Sequence, residues 1–103
     1  MKHSNGRQIV YISGAITGVD GYKEKFDEAE RQLRWRGCLA INPTILPADL
    51  PYEVYMPINA AMIQAADAVY VIPGWEGSRG VTAEIAFANA IGVPVVKDLN
   101  FFK

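Results

Sequence analysis

Ile9-Val10-Tyr11-Ile12-Ser13-Gly14-Ala15-Ile16-Thr17-Gly18 is the stretch on which the fold turns. Its first four residues are apolar or aromatic without interruption and read as a buried first strand. Ser13 to Gly18 follows as a turn with two glycines. From Asp20, an N-cap residue type, the spacing predicts a first helix to about Arg36. Tyr22, Phe26, Ala29 and Leu33 fall at steps of four, three and four, which is one face of a helix. Gly37 supplies its stop.

The same alternation of short β-type runs and longer helical ones continues outward. Cys38 to Ile41 reads as a second strand, and Asn42-Pro43, Pro47 and Pro51 punctuate a loop. A second helix lies between Tyr52 and Ala66, with Pro57 either starting or kinking it. Ala68 to Ile72 reads as the third strand, and Pro73 to Gly77 as a loop. Ser78 or a neighbour caps a third helix to Ile91, with Val81, Ile85, Ala88 and Ile91 facing inward. Gly92 ends that helix, and Val93 to Val96 reads as the fourth strand. The tail Asn100-Phe101-Phe102-Lys103 exposes two aromatics unless something covers them. With right-handed crossovers these units make a doubly wound α/β fold around a parallel sheet. Ligands of such sheets bind at the carboxyl ends of the strands, near the switch point. Here that places the loops Ser13–Gly18 and Pro73–Gly80 at the site.

Composition narrows the function. One hundred and three residues make one domain, residues 1–103, with 1–8 a flexible tail. Half the residues are hydrophobic and a fifth charged, as in a packed globular protein. Ten Lys and Arg against eleven Asp and Glu leave a net charge of −1, no field for gripping nucleic acid or an anionic membrane. No apolar run approaches the roughly 20 residues of a membrane span, and the polar start is no signal peptide. Cys38 is the only cysteine and His3 the only histidine, the latter in the expected frayed tail. A disulfide within the chain is impossible, and a metal cluster or a Ser/His/Asp or Cys/His catalytic set lacks its residues. Cys38 reads as a buried, inert thiol in a reducing, cytoplasmic setting. A chain this small buries limited surface, so a homo-oligomer, dimer or larger, is expected.

Two loops carry candidate chemistry. Gly14 and Gly18 let backbone approach a ligand, though their G-x-x-x-G spacing is not the dinucleotide fingerprint and can equally be a plain turn. In Gly77-Ser78-Arg79-Gly80-Val81-Thr82-Ala83-Glu84, glycines flank a serine and an arginine at a helix start, where N–H groups favour an anion. Glu84 lies one to two turns in, beside inward-facing Ile85, where a carboxylate is expected to stay ionised, as a nucleophile must. The alternative is that Ser78 only caps the helix while Arg79 and Glu84 are solvated. Tyr11 and Trp75 either wall a pocket for a flat base or pack the core and lid. Asn59 approaches the same sheet edge or is merely solvated.

Taken together, Tyr11 to Gly18, Asn42-Pro43, Ala66-Asp67-Ala68, Pro73-Gly74-Trp75-Glu76-Gly77-Ser78-Arg79-Gly80 and Glu84 resemble an uncharacterised phage and bacterial family. That family belongs to the nucleoside 2-deoxyribosyltransferase-like superfamily. The resemblance runs from about Ile9 to Val96, and the P-G-W-E-x-S-x-G segment with its trailing glutamate is its most specific part. It implies a flavodoxin-like or Rossmann-like doubly wound fold, a parallel sheet of four to five strands in three layers, with a nucleoside pocket at the strand ends. It implies that Glu84 attacks the anomeric carbon, as in the transferases and the related deoxynucleoside 5′-monophosphate N-hydrolase, with Tyr11 near the reacting centre. Ser78 matches a serine holding the 5′-phosphate in the hydrolase, where the transferases place an aspartate. Ser13, Gly14, Ile16, Gly18, Trp75, Ser78, Arg79 and Gly80 are the substrate-binding residues this implies. Asn59 departs from the pattern: relatives commonly carry an aspartate there, and an amide cannot accept a proton or hold a charge. The implied activity is therefore an N-glycosidase or deoxyribosyltransferase acting on a small-molecule nucleoside or nucleotide, with no metal and no cofactor. The alternatives are a non-catalytic nucleotide-binding module, whose pocket has outlived its acid, and a phage-encoded interaction protein.

Overall fold

The computed structural model describes residues 6–102. His3 and the first five residues of the expected tail 1–8 lie outside the described residues, as does Lys103. Four parallel strands form one sheet: β1 (Ile9–Ser13), β2 (Leu39–Ile41), β3 (Ala68–Val71) and β4 (Val95–Val96), in the order β2-β1-β3-β4. Tyr11 pairs with Ile41 on one side and Val69 on the other, so β1 is the central strand from which the chain winds both ways. Three helices connect them: α1 (Tyr22–Trp35), α2 (Tyr52–Ala65) and α3 (Arg79–Ile91). Crossovers of one hand that run across the sheet in opposite directions put their helices on opposite faces, and α1 runs towards β2 while α2 and α3 run the other way. Accordingly α1 covers one face, and α2 and α3 cover the other.

Side-chain alternation along the strands builds two cores. Val10 and Ile12 of β1 pack with Phe26, Ala29 and Leu33 of α1, joined by Tyr70 of β3. Tyr11 packs the other way, with Ile63 of α2, Val69 and Val71 of β3, and Val81 and Ala88 of α3. Because β1 and β3 are flanked on both sides and covered on both faces, their residues are almost wholly buried. An uninterrupted apolar run is the sequence form of such a strand.

Several element ends differ from the sequence expectation. Asp20 does not cap α1; Gly21 does, at φ +71°, with a backbone rather than a side-chain bond into the first turn, Lys25 N–H to the Gly21 carbonyl at 3.3 Å. Pro57 lies inside α2 as its sixth residue, where its missing N–H leaves the Glu53 carbonyl without its helical donor. Ile91 is exposed rather than inward. Gly92 turns the chain at φ +80°, and Val93 N–H bonds the Ala88 carbonyl at 2.9 Å, so Val93 takes the buried place instead. The fourth strand begins at Val95 rather than Val93, since Pro94 has no N–H to donate. At the tail, Phe102 is buried among the α1-side core residues while Phe101 alone stays exposed. Cys38 is buried, and burial raises its thiol pKa, which keeps it protonated and inert. No helix among the described residues is long and apolar enough to cross a membrane.

The Ala66-Asp67-Ala68 segment lies at the opposite end of the sheet from the two glycine loops. Ile9 N–H donates to Asp67 Oδ2 at 2.9 Å, and Asp67 N–H to the Ile9 carbonyl at 2.7 Å, a reciprocal pair that sets the register of β1 and β3. Asn42 has a similar duty. Its amide donates to Asp27 and Glu30 of α1 and accepts from the Thr44 N–H and hydroxyl, which spends its whole bonding capacity on joining α1 to the end of β2.

Two outcomes follow from this packing. A Cβ at Gly14 would stand 2.9 Å from the Ile72 Cδ1 and 3.0 Å from the Phe26 Cζ. Gly14→Ala is therefore expected to lower stability by about 1–3 kcal/mol in chemical denaturation. α2 buries only Ile63, although its sequence is apolar nearly all round and Tyr52 and Val54 stand exposed. With Ile91 exposed on α3, that face is expected to be covered by a second copy. Light scattering at micromolar concentration should return a dimer or larger; a lone monomer mass would refute it.

Candidate active site around Glu84

Order reverses between β1 and β3, and the carboxyl ends of these strands are joined by the Ile72 N–H to the Ser13 carbonyl at 2.8 Å. This is the switch point at which open α/β sheets bind ligands. Tyr11 and Ser13, two apart on β1, point to the same face there. α3 places Glu84 three residues after Val81 and four before Ala88, both fully buried, so its carboxylate lies on the inward stripe of the helix. α2 brings Asn59 four residues before buried Ile63, again on the inward face.

These three elements converge on one carboxylate. Ser13 Oγ donates to Glu84 Oε1 at 2.6 Å. Tyr11 Oη donates to Glu84 Oε2 at 3.0 Å, and Asn59 Nδ2 to the same oxygen at 3.1 Å. Burial raises the Glu84 pKa above its ordinary value, while the bonds from Ser13, Tyr11 and Asn59 pull against that rise by favouring the charged form. Burial, and then the adjacent negative charge, push the Tyr11 phenol far above its usual range, so it stays a neutral donor. Asn59 also orients itself through this bond. With Nδ2 turned to the carboxylate, its Oδ1 is buried with no hydrogen-bond partner. An ionised aspartate in its place would repel Glu84 instead of donating to it.

The remaining sequence candidates sit around this cluster in different ways. Ser78 caps α3: its Oγ accepts the Val81 N–H at 3.2 Å, which leaves the hydroxyl proton able to donate elsewhere. Arg79 is exposed in the first turn, and Gly80 beside it has open space, a Cβ there meeting only Ser78 Oγ at 4.0 Å. Ile16 is exposed, and Gly18, at φ +75°, lies in the turn closed by Val19 N–H to the Ile16 carbonyl at 3.1 Å. Gly14 faces Phe26 and Ile72, on the α1 side of the sheet and away from Glu84. Its missing side chain serves the packing of α1. Trp75 rests on the α2–α3 core, with Lys97 Nζ 5.0 Å from its ring centroid. Lys97, just past β4 at the same sheet edge, was not among the residues singled out from sequence, and no motif marks it. Among the described residues no group of three or more His, Cys, Asp or Glu side chains is placed to hold a metal ion.

Two open troughs elsewhere on the surface, of about 350 and 360 Å³, are separate from this cluster. One runs beside Trp35 and Phe102, the other between α1 and the C-terminal segment, past Tyr70 and Leu99. Neither contains a charged or polar group bonded to Glu84.

The fold has counterparts. Among solved structures the chain is similar to a 2-deoxyribosyltransferase from Bacillus psychrosaccharolyticus, with a TM-score of 0.66 and 19% identity over 84% of this chain and 69% of that one. It is similar to a CMP N-glycosidase from Clostridium botulinum, with a TM-score of 0.63 and 20% identity over 85% of this chain and 66% of that one. At such identities the likeness is one of fold. No curated protein matches the sequence significantly. A family model described as "Domain of unknown function (DUF4406)" matches residues 8–97. The chain therefore belongs to that DUF4406 family, and its flavodoxin-like sheet is similar in fold to those of these two solved structures.

Proposed function

We propose that the chain cleaves or transfers the N-glycosidic bond of a nucleoside 5′-monophosphate or nucleoside, with Glu84 as the nucleophile. One observation carries this reading: a part-buried carboxylate at the switch point, held by donors from two other elements, Tyr11 and Ser13 of β1 and Asn59 of α2. A carboxylate used only for solubility needs none of these bonds. The neighbouring folds, a 2-deoxyribosyltransferase and a CMP N-glycosidase, support the same class of reaction.

In this scheme Glu84 attacks C1′ as the bond to the base breaks, through an oxocarbenium-like transition state. Water or a second base then displaces the carboxylate, and two inversions give net retention. Tyr11 and Asn59 hold the carboxylate in place, and their bonds favour its ionised form against the effect of burial. Ser78, Arg79 and the N–H groups of the first turn of α3 receive the 5′-phosphate. Trp75 packs on base or sugar once Lys97 swings from its ring. No cofactor enters the scheme. A second copy of the chain is the expected protein partner.

A second reading rests on Asn59. Its amide has no proton to give a departing base, and no other acid in the cluster is poised to do so. A nucleotide-binding module without turnover would have this arrangement. Mass spectrometry of free base released from a panel of nucleosides and their monophosphates separates the two.

The nucleophile reading requires that Glu84→Gln leave folding and ligand binding nearly intact while base release drops by several orders of magnitude. Burial raises the Glu84 pKa, so wild-type release should fall away as pH drops through that raised value, where the protonated carboxyl cannot attack. Undiminished release by the variant would eliminate Glu84 as nucleophile.

Phosphate recognition has its own signature. A monophosphate is expected to bind at least about tenfold tighter than its nucleoside, roughly 1.4 kcal/mol. Ser78→Asp keeps an N-cap residue but sets a negative charge against the phosphate, and should erase that preference in calorimetry. Equal affinities in the wild type, or a preference the variant retains, would show that Ser78 is a cap and nothing more.

A further inference from the structure

The two oxygens of Glu84 are not equivalent. A carboxylate offers about four acceptor positions, two on each oxygen. Oε2 has both filled, by Tyr11 Oη and Asn59 Nδ2, while Oε1 takes a single bond, from Ser13 Oγ at 2.6 Å. Ser13 itself is 1% exposed, and its hydroxyl acts through its bond to Glu84. It follows Tyr11 by two residues on β1, so the strand aims both hydroxyls at one carboxylate, one to each oxygen.

We propose that Oε1 is the oxygen that bonds to the sugar, and that Ser13 is the positioning residue that selects it and later releases it. The inference rests on the reading of Glu84 as the nucleophile. In the first half-reaction the free lone pair of Oε1 forms the bond to C1′. The bond from C1′ to the base nitrogen breaks, its electron pair leaves with the base, and the base takes a proton from water. Oε1 is now an ester oxygen and a poor acceptor, so the charge-assisted bond from Ser13 is weakened. Tyr11 and Asn59 keep their acceptor, because Oε2 has become the ester carbonyl. In the second half-reaction water attacks C1′, the bond to Oε1 breaks, and its electron pair returns to Glu84 as the water gives up a proton to solvent. Ser13 recovers its full bond at that point. Its hydroxyl therefore favours the free carboxylate over the ester and assists breakdown of the intermediate more than its formation.

Ser13→Ala removes the hydroxyl with little change of volume, and Ser13→Thr keeps it. Each is mixed with CMP and the deoxynucleoside 5′-monophosphates, free base is followed in time, and intact-protein mass spectrometry looks for the sugar phosphate on the enzyme. Ser13→Ala is expected to release a burst of about one base per site, with the adduct trapped and later turnovers slowed at least about tenfold. Ser13→Thr should follow the wild type. A burst-free, wild-type time course in Ser13→Ala overturns the proposal, as does equal impairment of both variants, which would mark a structural role. A second readout needs no turnover: in ¹³C-glutamate spectra the Glu84 titration should move up in Ser13→Ala and stay in Ser13→Thr, and an unmoved titration overturns Ser13's hold on Glu84. A wild type that releases no base from any of these nucleotides overturns the nucleophile reading and the choice of Oε1 with it.

Discussion

A carboxylate drawn into the shelter of a parallel sheet must be compensated, and the architecture around Glu84 is arranged by that requirement. Removing a charged group from water raises the energy of its ionised form unless donors replace the water it loses. Here the replacement comes from β1 twice and from α2 once, onto a side chain of α3. No two of these elements are consecutive in the chain. They meet because β1 is central and because α2 and α3, crossing in the same direction, cover the same face. The helix stripe that carries Glu84 and the strand face that carries Tyr11 and Ser13 are the two sides of one packed layer.

Other features serve that meeting point at a distance. The reciprocal bonds between Ile9 and Asp67 fix how far β1 slides against β3, and so which β1 residues stand at the carboxyl edge. A one-residue slip would turn Tyr11 and Ser13 to the α1 side and bring Ile12 to the carboxylate. Gly14 lets α1 close on the strand exit without a clash against Phe26 or Ile72. Asn42 ties α1 to the β2 end through Asp27 and Glu30. Motif residues Gly14, Asn42 and Asp67 thus hold the frame of the sheet.

Asn59 shows how a substitution changes chemistry as well as charge. Its amide donates to Glu84 at neutral pH without needing a proton of its own, which a carboxyl side chain at that position could do only when protonated. The same choice leaves Oδ1 buried and unpartnered. The amide thus gives Glu84 a steady donor and offers no group at position 59 able to take or give a proton.

By itself the sequence determined the strand and helix succession, because buried parallel strands and amphipathic helices write different periods. Ser78 at a helix start followed from local backbone chemistry, while Glu84, beside inward-facing Ile85, could be read as a site residue or as a solvated charge. Only the tertiary structure decided what those residues touch. Ser13 read as part of a ligand loop, yet its hydroxyl is spent on Glu84, although the two-residue step from Tyr11 was a usable sign of a shared face. Whether Phe102 was covered, where Ile91 pointed, and that Lys97 lies over Trp75 were equally beyond local pattern. Periodicity is a property of neighbours along the chain. A bond between residues 71 or 73 positions apart depends on the register of the sheet and the side on which each helix crosses, which the whole fold settles at once.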